Sequence, residues 1–319
     1  MKVFVFGGTG FVGSRIVKCL VQNKHTVSTL ARSQEKAETL KRMGTIPHLG
    51  DLNKRETIRD AIRGSDVIVN AACSPFLGRM TMRRARRDSQ EMFTQMKNLL
   101  DAVSEIGKIP VILTEGTMAY GDSQNNWLDE SSSYTFDKGY GRLLQLNMSY
   151  AQKMAEEKQL SLITMSLPGV YGSGTWFKES VYDYIKKGMG MVVGDGQNVW
   201  SFVHVDDVAE AYRLAVEKLP IGHKFTLADD EPCRYVDFAN FVADQLGKPH
   251  VKHMPKWAAS VMLGSVLCEA LTMNQKVKNI KAKTQLDWKL NYPSYQGGIP
   301  ATIAEIETSS SQRFAATFA

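Results

Sequence analysis

Short apolar runs alternate with stretches of helical period through the first two thirds of the chain. Residues 3–6 are wholly apolar and stop at Gly7-Gly8, which predicts a short strand. Residues 13–22 put Ile16, Val17 and Leu20 on one face and predict a helix. The same reading gives strands at 25–30, 66–70, 111–114 and 161–166, and helices at 35–43, 89–106 and 143–158. Alternation of this kind predicts an α/β protein in which helices cover both faces of a parallel sheet. No internal repeat interrupts it. After Pro168 the pattern loosens, with glycine-marked loops and a strand running into a helix over 203–216. These later segments are expected to form a smaller substrate lobe, 169–307, over the carboxyl edge of a first domain, 1–168. Sheet elements are expected to return near 200–228. The polar segment 308–319 is expected to be a flexible tail.

Composition changes this picture little. The 319 residues are 43% hydrophobic and 23% charged, enough apolar material for a sizeable core. A formal charge of +6 suits an anionic ligand. No broad basic face with interleaved aromatics is present, so no nucleic-acid partner is expected. Cys19, Cys73, Cys233 and Cys268 are scattered, which predicts reduced thiols, no structural metal and a cytoplasmic setting. No signal peptide is expected before a strand that starts at Lys2. The longest apolar run, 257–271, is too short to span a bilayer and carries Glu269, so no membrane partner is expected either.

The strongest local signal is Gly7-Gly8-Thr9-Gly10-Phe11-Val12-Gly13, between a strand and a helix. Gly7 permits the turn, Gly10 lets the backbone approach a pyrophosphate, and Gly13 lets helix and strand pack closely. This is a dinucleotide-binding signature, and it makes the predicted fold a Rossmann-type doubly wound sheet. The second strand is followed by Arg32-Ser33, where an NAD site offers a carboxylate to the ribose 2′-hydroxyl. Arg32, Ser33 and also Arg15 suit a 2′-phosphate instead, which predicts NADP, with NAD the less favoured cofactor.

With these motifs in place, the chain resembles the extended and atypical short-chain dehydrogenase/reductases of the epimerase/dehydratase and dihydroflavonol-reductase type. The glycine turn has that family's form, and further motifs follow in its order over roughly 1–300. They are Gly50-Asp51-Leu52, Asn70-Ala71-Ala72, Ala119-Tyr120-Gly121, Leu167-Pro168-Gly169-Val170-Tyr171-Gly172 and Phe202-Val203-His204-Val205-Asp206-Asp207-Val208-Ala209. The resemblance implies that Gly7, Thr9, Gly10, Phe11, Val12, Gly13, Asp51, Leu52, Ala71, Ala72 and Pro168 line the cofactor. It also implies a small-molecule substrate and a homodimer through helices 89–106 and 143–158.

The family pairs a Tyr-x-x-x-Lys on a helix with an upstream Ser or Thr. The lysine lowers the phenol pKa so that it can exchange a proton with the substrate oxygen. Here Tyr140 best matches the tyrosine, but the lysine position is Leu144. Tyr140 would then act as a neutral hydrogen-bond donor, or Lys138 or Arg142 would have to substitute. A second register places Met148 and Gln152 in the pair, and a third uses Tyr150 with Lys153. The hydroxyl position is Gly116, leaving Thr117 and Thr114 as the nearest candidates. The implied catalytic set is Tyr140 with Thr117. An NADP-dependent oxidoreductase or epimerase-like enzyme is expected. A non-catalytic dinucleotide binder and a non-redox isomerase or cyclase are the alternatives.

Three further features bear on the site. The run Arg83-Arg84-Ala85-Arg86-Arg87 suits an anionic substrate, an acidic partner or a solvated helix start. His204 with Asp206 and Asp207 is read as structural, not metal-binding. Tyr134, Phe136, Tyr171, Trp176, Phe177, Tyr182 and Trp200 face either an apolar cleft or the core, and 257–271 is a candidate wall of the same cleft.

Overall fold

The computed structural model describes residues 1–73, 78–107, 109–124, 126–135, 139–174 and 176–317, with side chains as far as residue 309. Its centre is a seven-stranded parallel sheet. The strands are β1 (Lys2–Phe6), β2 (Thr26–Ala31), β3 (Ile46–Leu49), β4 (Val67–Asn70), β5 (Val111–Gly116) and β6 (Leu162–Leu167). The later pairs come from β7 (Gly169–Tyr171), β8 (Met191–Val193), β9 (Val199–Trp200) and β10 (Phe202–His204), followed by β11 (Lys224–Thr226), β12 (Cys233–Arg234) and β13 (Lys252–Met254). The central sheet runs β11-β6-β5-β4-β1-β2-β3, so the strand order reverses between β1 and β4. In doubly wound folds that reversal opens the ligand crevice at the carboxyl ends of the strands. The strand–helix alternation read from the sequence is thus present, and the fold is the doubly wound class it predicted.

Helices α1 (Phe11–Gln22), α2 (Gln34–Arg42), α3 (Arg55–Ala61), α4 (Met82–Ile106) and α5 (Gly139–Lys158) return the chain between strands. The two faces of the sheet build separate cores. Val3, Val5, Val67 and Val69 pack with Ile16, Leu20, Val208 and Tyr212 on one face. Phe4, Phe6 and Ile68 pack with Leu99, Leu100 and Met148 on the other. Strand residues alternate between faces, so one apolar strand feeds both cores.

The remaining helices are α6 (Asp183–Lys186), α7 (Val205–Lys218), α8 (Tyr235–Gln245), α9 (Lys256–Leu263), α10 (Ser265–Thr272), α11 (Ile280–Gln285) and α12 (Tyr295–Thr317). Of the segment 200–228, α7 packs in the core beside α1, and β11 closes the sheet beside β6. Strand β10 instead pairs with β7, outside the central sheet. Helix α12 continues to Thr317, so most of the segment expected to be a tail has helical backbone.

Two elements escaped the sequence reading. Strand β3 is an edge strand with no fully buried residue and Pro47 within it, so it lacks the apolar signature of a core strand. Helix α3 buries only Ile58 and Ala61. Helix α4 begins seven residues earlier than the apolar periodicity indicated, because Thr81 caps it by accepting from the Arg84 amide. Among the described residues no helix is long and apolar enough to cross a membrane.

The aromatic residues of the second lobe form a core, not a cleft. Tyr171, Phe177, Tyr182 and Trp200 are buried with Phe202 and Phe238. Trp176 is tied down by its indole N–H, which donates to the Val170 carbonyl at 2.6 Å. Tyr134 turns its hydroxyl inward to Glu115. Phe136 lies outside the described residues.

Candidate active site

The turn 7–13 lies at the carboxyl end of β1, directly against the turn after β4. A Cβ on Gly7 would lie 2.7 Å from the Ala71 carbonyl and from the Ala72 amide nitrogen. Gly7 also has φ +78°, a conformation that excludes most other residues. A Cβ on Gly13 would come within 2.1 Å of the Gly7 carbonyl oxygen, so this glycine sets the approach of α1 to β1. Gly10 differs. It caps α1 with ordinary backbone (φ −76°) and makes no side-chain cap, and a Cβ there would meet only the Gly7 oxygen, at 3.1 Å. The Ser14 amide is the first to bond back along the helix, to the Gly10 carbonyl. The preceding amides therefore present an uncapped helix N-terminus beside exposed Thr9 and Gly10. That arrangement fits a pyrophosphate. Phe11 contributes only its backbone there, since its ring lies where Cβ atoms on Gly172 and Gly174 would be. Val12 packs against the core beneath.

Arg32 and Ser33 follow β2 immediately, and both are exposed. Ser33 caps α2 through its hydroxyl, which accepts from the Lys36 amide. No carboxylate occupies the end of this strand, and Arg32 has no hydrogen bond or ion pair with any described residue. Arg15 does not join them. Its guanidinium bonds Ser173 at 2.6 Å, pairs with Glu305, and lies 3.5 Å from Asp206. It therefore ties α1 to α7 and α12, and the expectation that it helps hold a 2′-phosphate is corrected. Asp51 and Leu52 follow β3. The Asp51 carboxylate accepts from both nitrogens of Asn53, and the Leu52 carbonyl accepts from Asn98. Pro168 is half-buried between β6 and β7.

The other end of the crevice holds the candidate chemistry. Thr117 opens a short 3-10 turn after β5 and is 2% exposed. Tyr140 stands in the first turn of α5, packed with Leu143 against Met80, Ala85 and Val266. A residual cavity of about 10 Å³ is bounded by Tyr140, Met118, Gly141, Val266, Ala270 and Met273, with Glu269 at its rim. Helix α10 thus lines this cavity, whereas the first half of the same apolar run turns Trp257, Val261 and Met262 to solvent, so only part of 257–271 is the wall that was expected. Burial, then the Cys73 sulfur and the Asp88 carboxylate, raise the Tyr140 phenol above its ordinary pKa. The Tyr140 phenol therefore keeps its proton at physiological pH.

The structure separates the three registers. Met148 is 6% exposed in the core, while Gln152 faces solvent. The Tyr150 ring packs on Phe93 of α4, at 4.7 Å between centroids, whereas Lys153 is exposed and paired with Glu157. Only Tyr140 reaches the cleft, with half-buried Leu144 in the lysine position. Lys138 lies outside the described residues. At Gly116, where the family has its hydroxyl, a Cβ would meet nothing within 4 Å. That open space lies beside Thr117.

His204 and its two carboxylates are fully engaged in structure. The His204 Nδ1 accepts from the Asp206 amide, and Nε2 donates to the Thr302 hydroxyl at 3.2 Å. Asp207 accepts from the amides of Asn291 and Tyr292. Among the described residues no three His, Cys, Asp or Glu side chains are grouped to hold a metal ion.

One polar group escaped the sequence reading. Glu115, 4% exposed, accepts from the Tyr134 and Ser166 hydroxyls and pairs with Lys224 at 2.7 Å. The Lys224 ammonium also lies 4.4 Å from the Tyr120 ring centroid. Glu130 completes the seam by accepting from the Thr226 amide and hydroxyl. Together they bind segment 120–135 to the β11 edge, two residues from Thr117. A glutamate inside the apolar strand Val-Ile-Leu-Thr-Glu-Gly was the available signal.

Comparison with known proteins agrees with this architecture. Residues 3–228 match the model of the NAD dependent epimerase/dehydratase family. A sterol-4-alpha-carboxylate 3-dehydrogenase (decarboxylating) of Dictyostelium discoideum is 27% identical over 253 residues, covering 74% of each chain. A 4-hydroxy-2-methyl-3-oxo-4-farnesyl-3,4-dihydroquinoline-1-oxide ketoreductase of Stigmatella aurantiaca is 26% identical over 90% of this chain and 86% of its own. Among solved structures, human epimerase family protein SDR39U1 with NADPH superimposes with a TM-score of 0.79 at 18% identity, covering 95% of this chain and 99% of that one. The UDP-glucose 4-epimerase of Thermotoga maritima with UDP-glucose gives 0.81 at 22% identity, covering 97% and 99%.

Proposed function

Because the chain belongs to the NAD dependent epimerase/dehydratase family, we propose that it is an NADP-linked oxidoreductase acting on a carbonyl or hydroxyl of a largely apolar, ring-bearing molecule. The observation that carries this reading is Tyr140. It is the one tyrosine of the three registers at the cleft, and it stands with Thr117 at the carboxyl edge of the sheet. In this reading the turn 7–13 holds the pyrophosphate, Ala71 and Ala72 support it from below, and Arg32 with Ser33 meets a 2′-phosphate. The bound nicotinamide supplies or accepts a hydride.

Tyr140 holds its proton at the substrate oxygen, and with Leu144 in the lysine position it works as a donor instead of a readily ionised base. Open space at Gly116 gives the substrate room where relatives place a hydroxyl. Met118, Val266, Ala270 and Met273 exclude water from the reacting centre. Two relatives, named for a sterol and for a farnesylated quinoline, support an apolar ring substrate. A homodimer through α4 and α5, where Leu146 is 47% exposed, belongs to the same reading and is checked by sedimentation equilibrium.

Leu144 and Gly116 favour one further reading: a protein that binds the dinucleotide without turnover, or that runs an isomerisation or cyclisation. The test is to load the protein with NADPH and follow the nicotinamide absorbance against a panel of cyclic ketones. Consumption supports the oxidoreductase. Binding without consumption supports the non-catalytic binder, and product without net oxidation supports the isomerase or cyclase.

A further inference from the structure

Helix α9 carries an apolar face that no described residue covers. At 100° per residue, Trp257, Val261, Ala258 and Met262 fall on one continuous arc. Trp257 is 75% exposed, Val261 64% and Met262 59%. The opposite side is sealed, since Ala259 is fully buried against Val193 and Cys268. The face is thus displayed by a helix firmly packed through its back.

Cations frame this face at both ends. Before it stand exposed Lys248, Lys252 and Lys256, and the whole segment 248–264 contains no Asp or Glu. At its far end, Leu263 accepts a hydrogen bond from the Met80 amide at 2.7 Å, and the Met80 carbonyl accepts from Val266. That contact sets the carboxyl end of α9 beside the arginine run. Arg79, Arg83 and Arg86 are exposed there, while Arg84 and Arg87 are engaged by Asp88. The arginine run and the apolar helix, unexplained separately, therefore adjoin. Helix α10, which follows at once, walls the cleft that holds Tyr140.

We infer that this surface docks on an anionic lipid bilayer. A tryptophan and aliphatic side chains framed by lysine and arginine match the boundary between acyl chains and negative headgroups. The cations give the attraction, and the apolar arc gives the shallow insertion. This is contact with one leaflet and not a span, and it departs from the expectation of no membrane partner. The inference concerns the surface and stands independently of the chemistry at Tyr140.

The test is flotation of the full chain with phosphatidylcholine vesicles and with vesicles containing 30% phosphatidylserine, a composition chosen to supply the charge on the order of natural anionic leaflets. Binding is expected only with phosphatidylserine and is expected to fall with added salt. Lys252→Glu/Lys256→Glu should weaken it by about 25-fold or more, at roughly five-fold for each lost cation. Trp257→Ser/Val261→Ser should weaken it at least 10-fold, a conservative figure for two buried apolar side chains. Both variants should keep wild-type NADPH affinity and thermal midpoint, which separates this surface from the cofactor site. No wild-type binding at low salt would overturn the inference, as would binding that either variant retains. A wild-type dimer that Trp257→Ser/Val261→Ser dissociates, without vesicle binding, would overturn it in favour of contact between two copies.

Discussion

Gly10 and Gly13 lie three residues apart in one turn, yet the structure assigns them opposite costs. In Gly13→Ala the new Cβ would stand 2.1 Å from the Gly7 oxygen and 2.7 Å from its carbonyl carbon, well inside any real Cβ contact. Helix α1 must retreat from β1, and overpacking of this kind costs about 1–3 kcal/mol. In Gly10→Ala the only close neighbour is the Gly7 oxygen at 3.1 Å, and the backbone already suits alanine. Its stability loss should stay within about 1 kcal/mol, the ordinary scale for an N-cap change. Under the proposed placement of the pyrophosphate, the Gly10 Cβ would stand at the uncapped end of α1, beside the phosphate. Loss of one charge-assisted hydrogen bond there costs about 1.5–3 kcal/mol, or roughly 10- to 150-fold in NADPH affinity. Urea unfolding measures the first quantity and calorimetric titration the second. Gly10→Ala should fold normally and bind poorly, whereas Gly13→Ala should melt early. A stable Gly10→Ala that binds NADPH like the wild type would refute the placement of the pyrophosphate.

Other perturbations test separate parts of the account. Arg32→Ala should weaken NADPH by about 10- to 150-fold and leave NADH nearly unchanged; equal losses in parallel titrations would remove the NADP preference. Lys224→Ala leaves the Glu115 carboxylate buried without its cation and should cost about 3–5 kcal/mol in urea unfolding, with Glu115→Gln/Lys224→Met recovering much of it. Burial holds His204 at a pKa of about 4, below its ordinary 6.5. Between those values the unfolded chain binds the extra proton, so stability should rise with pH from about 4 to 6.5, by at most about 3 kcal/mol. His204→Gln should flatten that slope in acid unfolding curves; an unchanged slope would locate the titration elsewhere.

The sequence made the fold legible where one strand feeds both cores, as with residues 3–6 and 67–70, and where glycines punctuate a strand-to-helix turn. It lost β3 because an exposed edge strand has no apolar pattern to display. The glycine turn was legible for a physical reason: the positive φ of Gly7 and the close approach of Gly13 to the Gly7 carbonyl leave no room for a side chain. The reacting end was less so, because side-chain roles depend on contacts between distant segments. Spacing favoured Tyr140 without excluding Tyr150, whose ring the structure packs onto Phe93. Likewise Arg15 read as a phosphate ligand until Ser173, Asp206 and Glu305 came together around it. Aromatic residues between 171 and 200 look the same in sequence whether they line a cleft or fill a core, and here most of them fill the core.

The most direct test of the account is transfer of label from NADPH deuterated at the reactive carbon of its nicotinamide to a cyclic ketone, compared between wild type and Tyr140→Phe. Deuterium is expected on the carbinol carbon of the product, formed about 10²–10⁴-fold more slowly in the variant, with NADPH affinity unchanged. NADPH bound tightly by the wild type with no label in any product, or label transferred equally fast by Tyr140→Phe, would contradict it.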